Sequence, residues 1–220
     1  MIPHRFPSIF RRVMFTVHRR RKLVIATHNN HKQKEISAFL GHMDIDILGL
    51  DDFPQIKDIE ETGNTLIDNS FIKARTVYRI TGLPSLADDT GLEVDALNGA
   101  PGVFSARYAG ENPSYNDNVN KLLDNLDGTP LKKRNARFKT VMAFVDNKKE
   151  LFTEGVIEGL ITLSSQGDQG FGYDPIFKPE GYDKTFAEFD LDEKNRISHR
   201  SRALKKMVKI LESNLIKENK

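Results

Sequence analysis

Four clusters of polar, charged and aromatic residues stand where apolar runs break off, the places at which α/β folds usually carry their chemistry. The first is Thr27-His28-Asn29-Asn30-His31-Lys32. A polar loop feeding a helix start offers free backbone N–H groups and a positive dipole end to an anion. Thr and Asn side chains add donors and Lys32 adds a charge, so phosphate is the natural ligand. The loop lacks the glycines of a Walker loop, and taken alone it reads as a capped helix start. The second cluster is Glu60-Glu61-Thr62-Gly63. Acids ahead of a helix complement its dipole and need no further role. The third is Asp88-Asp89-Thr90-Gly91. Adjacent carboxylates repel unless a cation is present, and such a pair can hold Mg²⁺ together with phosphate oxygens; a solvated turn is the plainer alternative. The fourth is Gly170-Phe171-Gly172-Tyr173-Asp174-Pro175, followed by Lys194 and by Ser198-His199-Arg200. Glycines admit close backbone approach, and Phe171 or Tyr173 could stack on a base. Cations in the first turn of a helix are unfavourable, so His199-Arg200 calls for an anion or carbonyl partner. Together the clusters hold phosphate donors, metal-binding carboxylates, stacking aromatics and polar base readers, the set that a nucleotide hydrolase needs.

The elements that must position these residues follow from periodicity. Leu23–Thr27 is a short β-branched run and reads as a buried strand. Lys32–Leu40 has helical spacing with a stop at Gly41, and Ile45–Leu48 is a second strand. Asn64–Ile80 is the clearest helix, closed by Gly82-Leu83-Pro84. Ser85–Ala87 and Leu92–Val94 read as strands flanking an acidic turn at 88–91. Ser114 to Asp117 forms a short capping box for a helix reaching Leu126. Phe138–Val145 and Leu151–Ile161 read as paired strands, and Ser198 caps a last helix over 199–214. The pattern predicts an α/β fold: one mixed sheet with helices packed on it, in two lobes around a cleft.

Composition narrows the function classes. The 220 residues suffice for a hydrophobic core. No apolar run reaches the roughly 18 residues of a transmembrane helix. The absence of cysteine excludes disulfides, thiolate metal sites and a cysteine nucleophile. Residues 1–22 carry seven Lys or Arg and no acid, which leaves 26 bases against 31 acids in the rest. A mildly acidic body is a poor nonspecific nucleic-acid binder, so neither nucleic acid nor membrane is an expected partner. The basic extension 1–21 reads as a transit peptide, as a disordered arm, or as the product of an upstream start with Met14 the alternative.

In order, the same clusters resemble the inosine triphosphate pyrophosphatase family of non-canonical purine nucleoside triphosphate pyrophosphatases. The resembling segments are ATHNNHKQKEI at 26–36, EETGNTLIDNSFIKA at 60–74, LADDTGLEVDALNGAPGVFSARYAG at 86–110, GFGYDPIF at 170–177 and EKNRISHRSRAL at 193–204. The resemblance implies an elongated mixed sheet flanked by helices, in two lobes around a central nucleotide-binding cleft, one catalytic domain over 22–216, a homodimer, and a cytoplasmic setting, or an organelle if the extension is a transit peptide. It implies Mg²⁺-dependent attack of water at the α-phosphate, releasing pyrophosphate from inosine, deoxyinosine or xanthosine triphosphate. Thr27, Asn29 and Lys32 would hold the triphosphate, with His28, Asn30 and His31 in the same loop; His28 stands where glycine is common in bacterial members. Asp89 would be the general base or principal metal ligand, with Glu60 the second metal carboxylate and Glu61 its rival. Thr90 would contact the substrate. Phe171, Gly172, Tyr173, Asp174, Lys194, His199 and Arg200 would form the base pocket, where Arg200 or protonated His199 would favour a 6-oxo purine over adenine.

A related pyrophosphatase for another base and a basic-armed nucleic-acid-binding module are the rival readings. The second rests on the extension alone. Removing residues 1–21 is expected to leave turnover and thermal midpoint nearly unchanged, as measured by pyrophosphate release and thermal unfolding of the truncated chain.

Overall fold

In the computed structural model of the chain, residues 20–216 are described. The extension expected over 1–21 lies outside them except for its last two residues. Arg20 ion-pairs with Asp44 (2.7 Å), and Arg21 already pairs with Ile45 as the first residue of a strand. A truncation that spares the sheet therefore ends at residue 19.

Seven strands form one mixed sheet. β1 (Arg21–Ile25) lies between β2 (Ile45–Leu48) and β3 (Ser85–Val94), parallel to both. A short β4 (Pro101–Gly102) folds back on the end of β3. β5 (Asn135–Val145), β6 (Glu150–Ile161) and β7 (Phe177–Pro179) continue the sheet antiparallel, in the order β2-β1-β3-β5-β6-β7. Leu23, Val24 and Ile25 are fully buried, as a parallel strand covered on both faces requires.

The helices start where side chains satisfy their free N–H groups. Asn29 caps α1 (Asn30–Leu40), and Thr65 caps α2 (Leu66–Thr81), which ends at the left-handed Gly82. The expected Ser114–Asp117 box opens α3 (Tyr115–Asn125). A second box, Asp190 with Glu193, opens the short α4 (Leu191–Ile197), and Ser198 then caps α5 (His199–Leu211). Helices α1 and α5 pack on one face of the β1–β3 end, with Ile36, Leu40, Leu204 and Met207 in that core. Helix α2 covers the opposite face through Ala74 and Val77. Helix α3 and the segment 173–189 close a separate core at the far end, around Phe138, Phe177 and Phe186. No helix among the described residues is long and apolar enough to cross a membrane.

One expectation is corrected. Residues 88–91 are not a turn between two strands; β3 runs unbroken from Ser85 to Val94, with Asp88 opposite Met142 and Asp89 opposite Val141. Alternation along the strand sends the two carboxylates to opposite faces, Asp88 toward α1 and α5 and Asp89 toward α2. Cations on those helices replace the solvent that a turn would have provided. The other edge of β3 is paired with β1 only at Ser85–Leu86 and with β4 only at Leu92–Glu93. Between them the sheet has a notch, at which side chains from both faces of β3 reach one opening.

Helix α5 reaches this notch because β6 lets it approach. A Cβ on Gly155 would collide with the His199 carbonyl, the Ala203 amide and the Arg202 side chain. Thr153 Oγ1 donates to the Ala203 carbonyl beside it (2.9 Å). Gly155→Ala is expected to cost about 1–3 kcal/mol of stability, the range for overpacking a tight contact. The check is a lowered urea midpoint with an unchanged slope.

Candidate active site

The notch opens into a cleft of about 550 Å³. On its α2 side, Lys73 Nζ sits between two carboxylates, 2.6 Å from Glu61 Oε1 and 3.1 Å from Asp89 Oδ1. Burial works against the Lys73 charge, but Asp89, Glu61 and Asp88 outweigh it and hold the ammonium protonated. Burial raises the Asp89 carboxyl from its ordinary value in spite of Lys73 and Lys32. Asp89 Oδ2 is buried without a hydrogen-bond partner. Glu61 lines the cleft, whereas Glu60 is exposed and lines a separate shallow depression. The structure thus brings Glu61, not Glu60, to Asp89.

The other wall is the start of α1. Thr27 Oγ1 accepts from the Asn29 amide (3.1 Å), and Asn29 Oδ1 accepts from the amides of His31 and Lys32 (3.0 and 3.2 Å). Among non-glycine described residues only Asn98 and Asn112 have positive φ, so His28 stands in the loop without backbone strain. Lys32 Nζ reaches Asp88 (3.2 Å). Burial lowers its pKa, with Asp88 opposing. Asn30 begins the helix, and neither it nor His31 lines the cleft.

A buried charge network ties this wall to the far end. Arg200 Nε donates to Asp88 (3.1 Å), Nη2 to Thr90 Oγ1 (3.2 Å) and Nη1 to Glu35. Glu35 and Asp174 both accept from Lys194 (3.0 and 2.7 Å). Burial alone would raise the Asp88 carboxyl, yet Lys32, Arg200 and Lys73 hold it well below its ordinary range. Glu35 is likewise lowered, burial being overcome by Arg200 and Lys194. The anionic partner that a cation at the start of α5 calls for is therefore supplied by the protein itself. Three of Arg200's five N–H donors have protein acceptors, which leaves two for a ligand.

At that end the aromatic residues divide. Phe171 is half-exposed, with the Lys194 ammonium 4.8 Å from its ring centre. Its loop bends through Gly172, whose φ of 65° suits glycine. The Phe171 amide is held by Asp174 Oδ2 (2.7 Å). Tyr173 is buried in the distal core, and its phenol donates to the Ser105 carbonyl (3.0 Å), so Phe171 is the more accessible of the two rings. His199 stacks on Phe138 (4.6 Å between centres), and its Nδ1 is buried without a partner. Burial, with Arg200 and Lys194 nearby, puts its pKa well below the ordinary histidine value. The expected protonated His199 is corrected: the imidazole is neutral, because a charge there would be both desolvated and repelled.

Residues 23–210 match the sequence model of the Ham1 family. The chain belongs to the Ham1 family. It is 52% identical over 194 residues to the dITP/XTP pyrophosphatase of Elusimicrobium minutum, spanning 86% of this chain and 98% of that one. Among solved structures, a HAM1 protein from Coxiella burnetii superposes with a TM-score of 0.80 at 42% identity, over 88% of this chain and 99% of the other. The Ham1 protein of Staphylococcus aureus gives 0.79 at 36% identity, with the same two coverages. The mixed sheet with flanking helices is therefore the Ham1 fold.

Sequence reasoning about this Ham1 chain missed Glu35 and Lys73. Both occupy buried positions on helices otherwise read by their apolar stripes, and a charged residue on such a stripe is the signal that could have found them. The folded chain holds Asp88 and Glu35 below their ordinary pKa values. Their stabilisation is thus complete above the usual carboxylate range and is lost as pH falls through the lowered values. Urea midpoints are expected to fall steadily below about pH 4. Asp88→Asn, which leaves Lys32 and Arg200 facing a neutral amide, is expected to cost about 3–5 kcal/mol at pH 7 and to flatten that acid limb.

Proposed function

We propose that this chain hydrolyses non-canonical purine nucleoside triphosphates, those of inosine, deoxyinosine and xanthosine, to the monophosphate and pyrophosphate. The observation that carries the reading is the Glu61–Lys73–Asp89 group facing the N-terminus of α1 across the cleft. Carboxylates that share a cleft with a helix N-terminus bearing Asn29 and Lys32 suit a metal–triphosphate complex. The substrate class agrees with the dITP/XTP pyrophosphatase to which the chain is similar.

The residues fit Mg²⁺. No group of three or more His, Cys, Asp or Glu among the described residues could hold a metal by itself. Two carboxylates completed by phosphate oxygens are a usual Mg²⁺ arrangement, and the unpartnered Asp89 Oδ2 is a ready ligand atom. Asp89 and Glu61 would hold the ion, which when bound neutralises charge on the phosphate oxygens. Asn29 and Lys32 at the positive end of α1 would bind the triphosphate, and Lys73 would balance its charge. Asp89, in the cleft beside Lys73, would orient the water and take its proton as the water oxygen bonds to the α-phosphorus and pyrophosphate leaves.

Base choice rests on the far end. Phe171, stacked against His31, would border the purine, and the two Arg200 N–H groups without protein acceptors would meet an oxo group. Neutral His199 either donates to the 6-oxygen or accepts from the N1–H that accompanies it, depending on tautomer. Arg200 can only donate, so an adenine 6-amine leaves it unmatched, and such mismatches discriminate strongly. The homodimer and the cytoplasmic setting belong to the same proposal and rest on the family likeness.

A panel of nucleoside triphosphates assayed for pyrophosphate release tests the reading. Inosine and xanthosine triphosphates are expected to be cleaved well and ATP poorly, and a chelator should abolish release. Asp89→Asn is expected to lose about 100-fold or more in turnover. Equal cleavage of ATP would remove the base assignment, and near-normal turnover in the variant would remove Asp89 from its role.

A further inference from the structure

We propose that Tyr115 is a further substrate-positioning residue, which holds the Asn29 amide across the mouth of the cleft and clasps Phe171 together with His31. This rests on the reading that the triphosphate sits at the start of α1. The Asn29 carboxamide has two ends. Its oxygen is fully used in capping α1. Its nitrogen donates to Tyr115 Oη at 3.2 Å, a residue 86 positions away. Helix α1 belongs to the core around Ile36 and Leu40, and α3 to the distal core through Val119 and Leu122. This hydrogen bond therefore joins the two walls of the cleft.

The ring of Tyr115 makes the same connection. It lies 6.4 Å from His31, nearly edge-on, and 6.0 Å from Phe171, while His31 stacks on Phe171 at 5.0 Å and 19°. Three rings from α1, α3 and the 170–173 loop thus meet beside the cleft. Tyr115 is 44% exposed, so burial does not account for its placement. The Ser114–Asp117 box fixes the start of α3 and so aims its first residue at the cleft, whose lining includes Tyr115.

The chemistry follows from donor counting. A phenol that accepts from Asn29 keeps its own O–H to donate, and Asn29 keeps its second N–H. Both remaining protons are free for the oxygens of a triphosphate. Tyr115 thereby fixes the amide plane of a phosphate-binding residue already held by its cap, so the donor is preorganised at lower entropic cost.

The test uses the full chain and the variants Tyr115→Phe, Asn29→Ser and their combination. Serine keeps an oxygen for the cap and removes the amide. Tyr115→Phe keeps the ring and should raise KM for inosine triphosphate about 3–10-fold with kcat little changed, the effect of losing one or two hydrogen bonds. Its affinity for inorganic pyrophosphate, measured by calorimetry, should fall by a similar factor with an unchanged thermal midpoint. In the Asn29→Ser background the same change should have a smaller effect, since part of what Tyr115 does is done through Asn29. Wild-type KM and pyrophosphate affinity in Tyr115→Phe would overturn the proposal, as would an undiminished effect without Asn29. A wild-type chain that releases no pyrophosphate from any triphosphate would defeat the functional reading instead, and the pyrophosphate affinities would still decide the part played by Tyr115.

Discussion

Two ionised carboxylates side by side in the middle of a buried strand are expensive to desolvate, and each must meet cations once water is removed. Asp88 and Asp89 impose that condition on the whole molecule. Because the strand alternates, the two demands fall on opposite faces of the sheet. Lys32 of α1 and Arg200 of α5 answer the first, and Lys73 of α2 answers the second. Three helices far apart in sequence are thus tied to one point of β3. The second ring of charge, Glu35 and Lys194, fixes Arg200 and the 170–174 loop in turn. Removing any one partner would leave a buried charge uncompensated, so the network specifies one arrangement of helices more sharply than apolar packing alone does.

The same alternation separates structure from chemistry. Asp88 is surrounded by cations and lies below the ordinary carboxylate range, a permanent anion that anchors α1 and α5. Asp89 is raised from its ordinary value by burial. Neighbouring carboxyl groups driven in opposite directions by their surroundings are a general mark of divided roles. Here one is committed to ion pairs with α1 and α5, and the other keeps an oxygen without a partner. The notch in the sheet between β1 and β4 lets the groups governed by each face reach the same cleft.

The cleft is in turn built from helix starts. Asn29, Ser114 and Ser198 each cap a helix, and the residues that follow, Lys32, Tyr115, His199 and Arg200, line the opening. Capping fixes the first turn, the part of a helix that otherwise frays, and so these cleft-lining side chains are carried by its most sharply defined positions.

Local signals were legible in the sequence wherever the deciding interaction is itself local. Caps such as Ser114–Asp117, the left-handed stop at Gly82, the apolar run Leu23–Ile25 and the β5–β6 pairing all depend on residues a few positions apart, and all appear where the pattern places them. The box at Asp190–Glu193 was equally local and equally readable, though the short helix it opens carries too few apolar residues to show a period. What the chain by itself left open is what depends on distant partners. Asp88-Asp89 has the composition of a solvated turn, and only the arrival of Lys32, Arg200 and Lys73 makes it a strand interior. Glu60 and Glu61 are chemically identical neighbours, and only Lys73, brought by α2 to within 2.6 Å of one of them, separates their roles. His199 reads as a cation in a first helical turn, and only its burial against Phe138 beside Arg200 makes it neutral. Backbone geometry is set by neighbours along the chain, whereas charge state and coordination are set by dielectric and by opposing charges, which tertiary structure alone brings together.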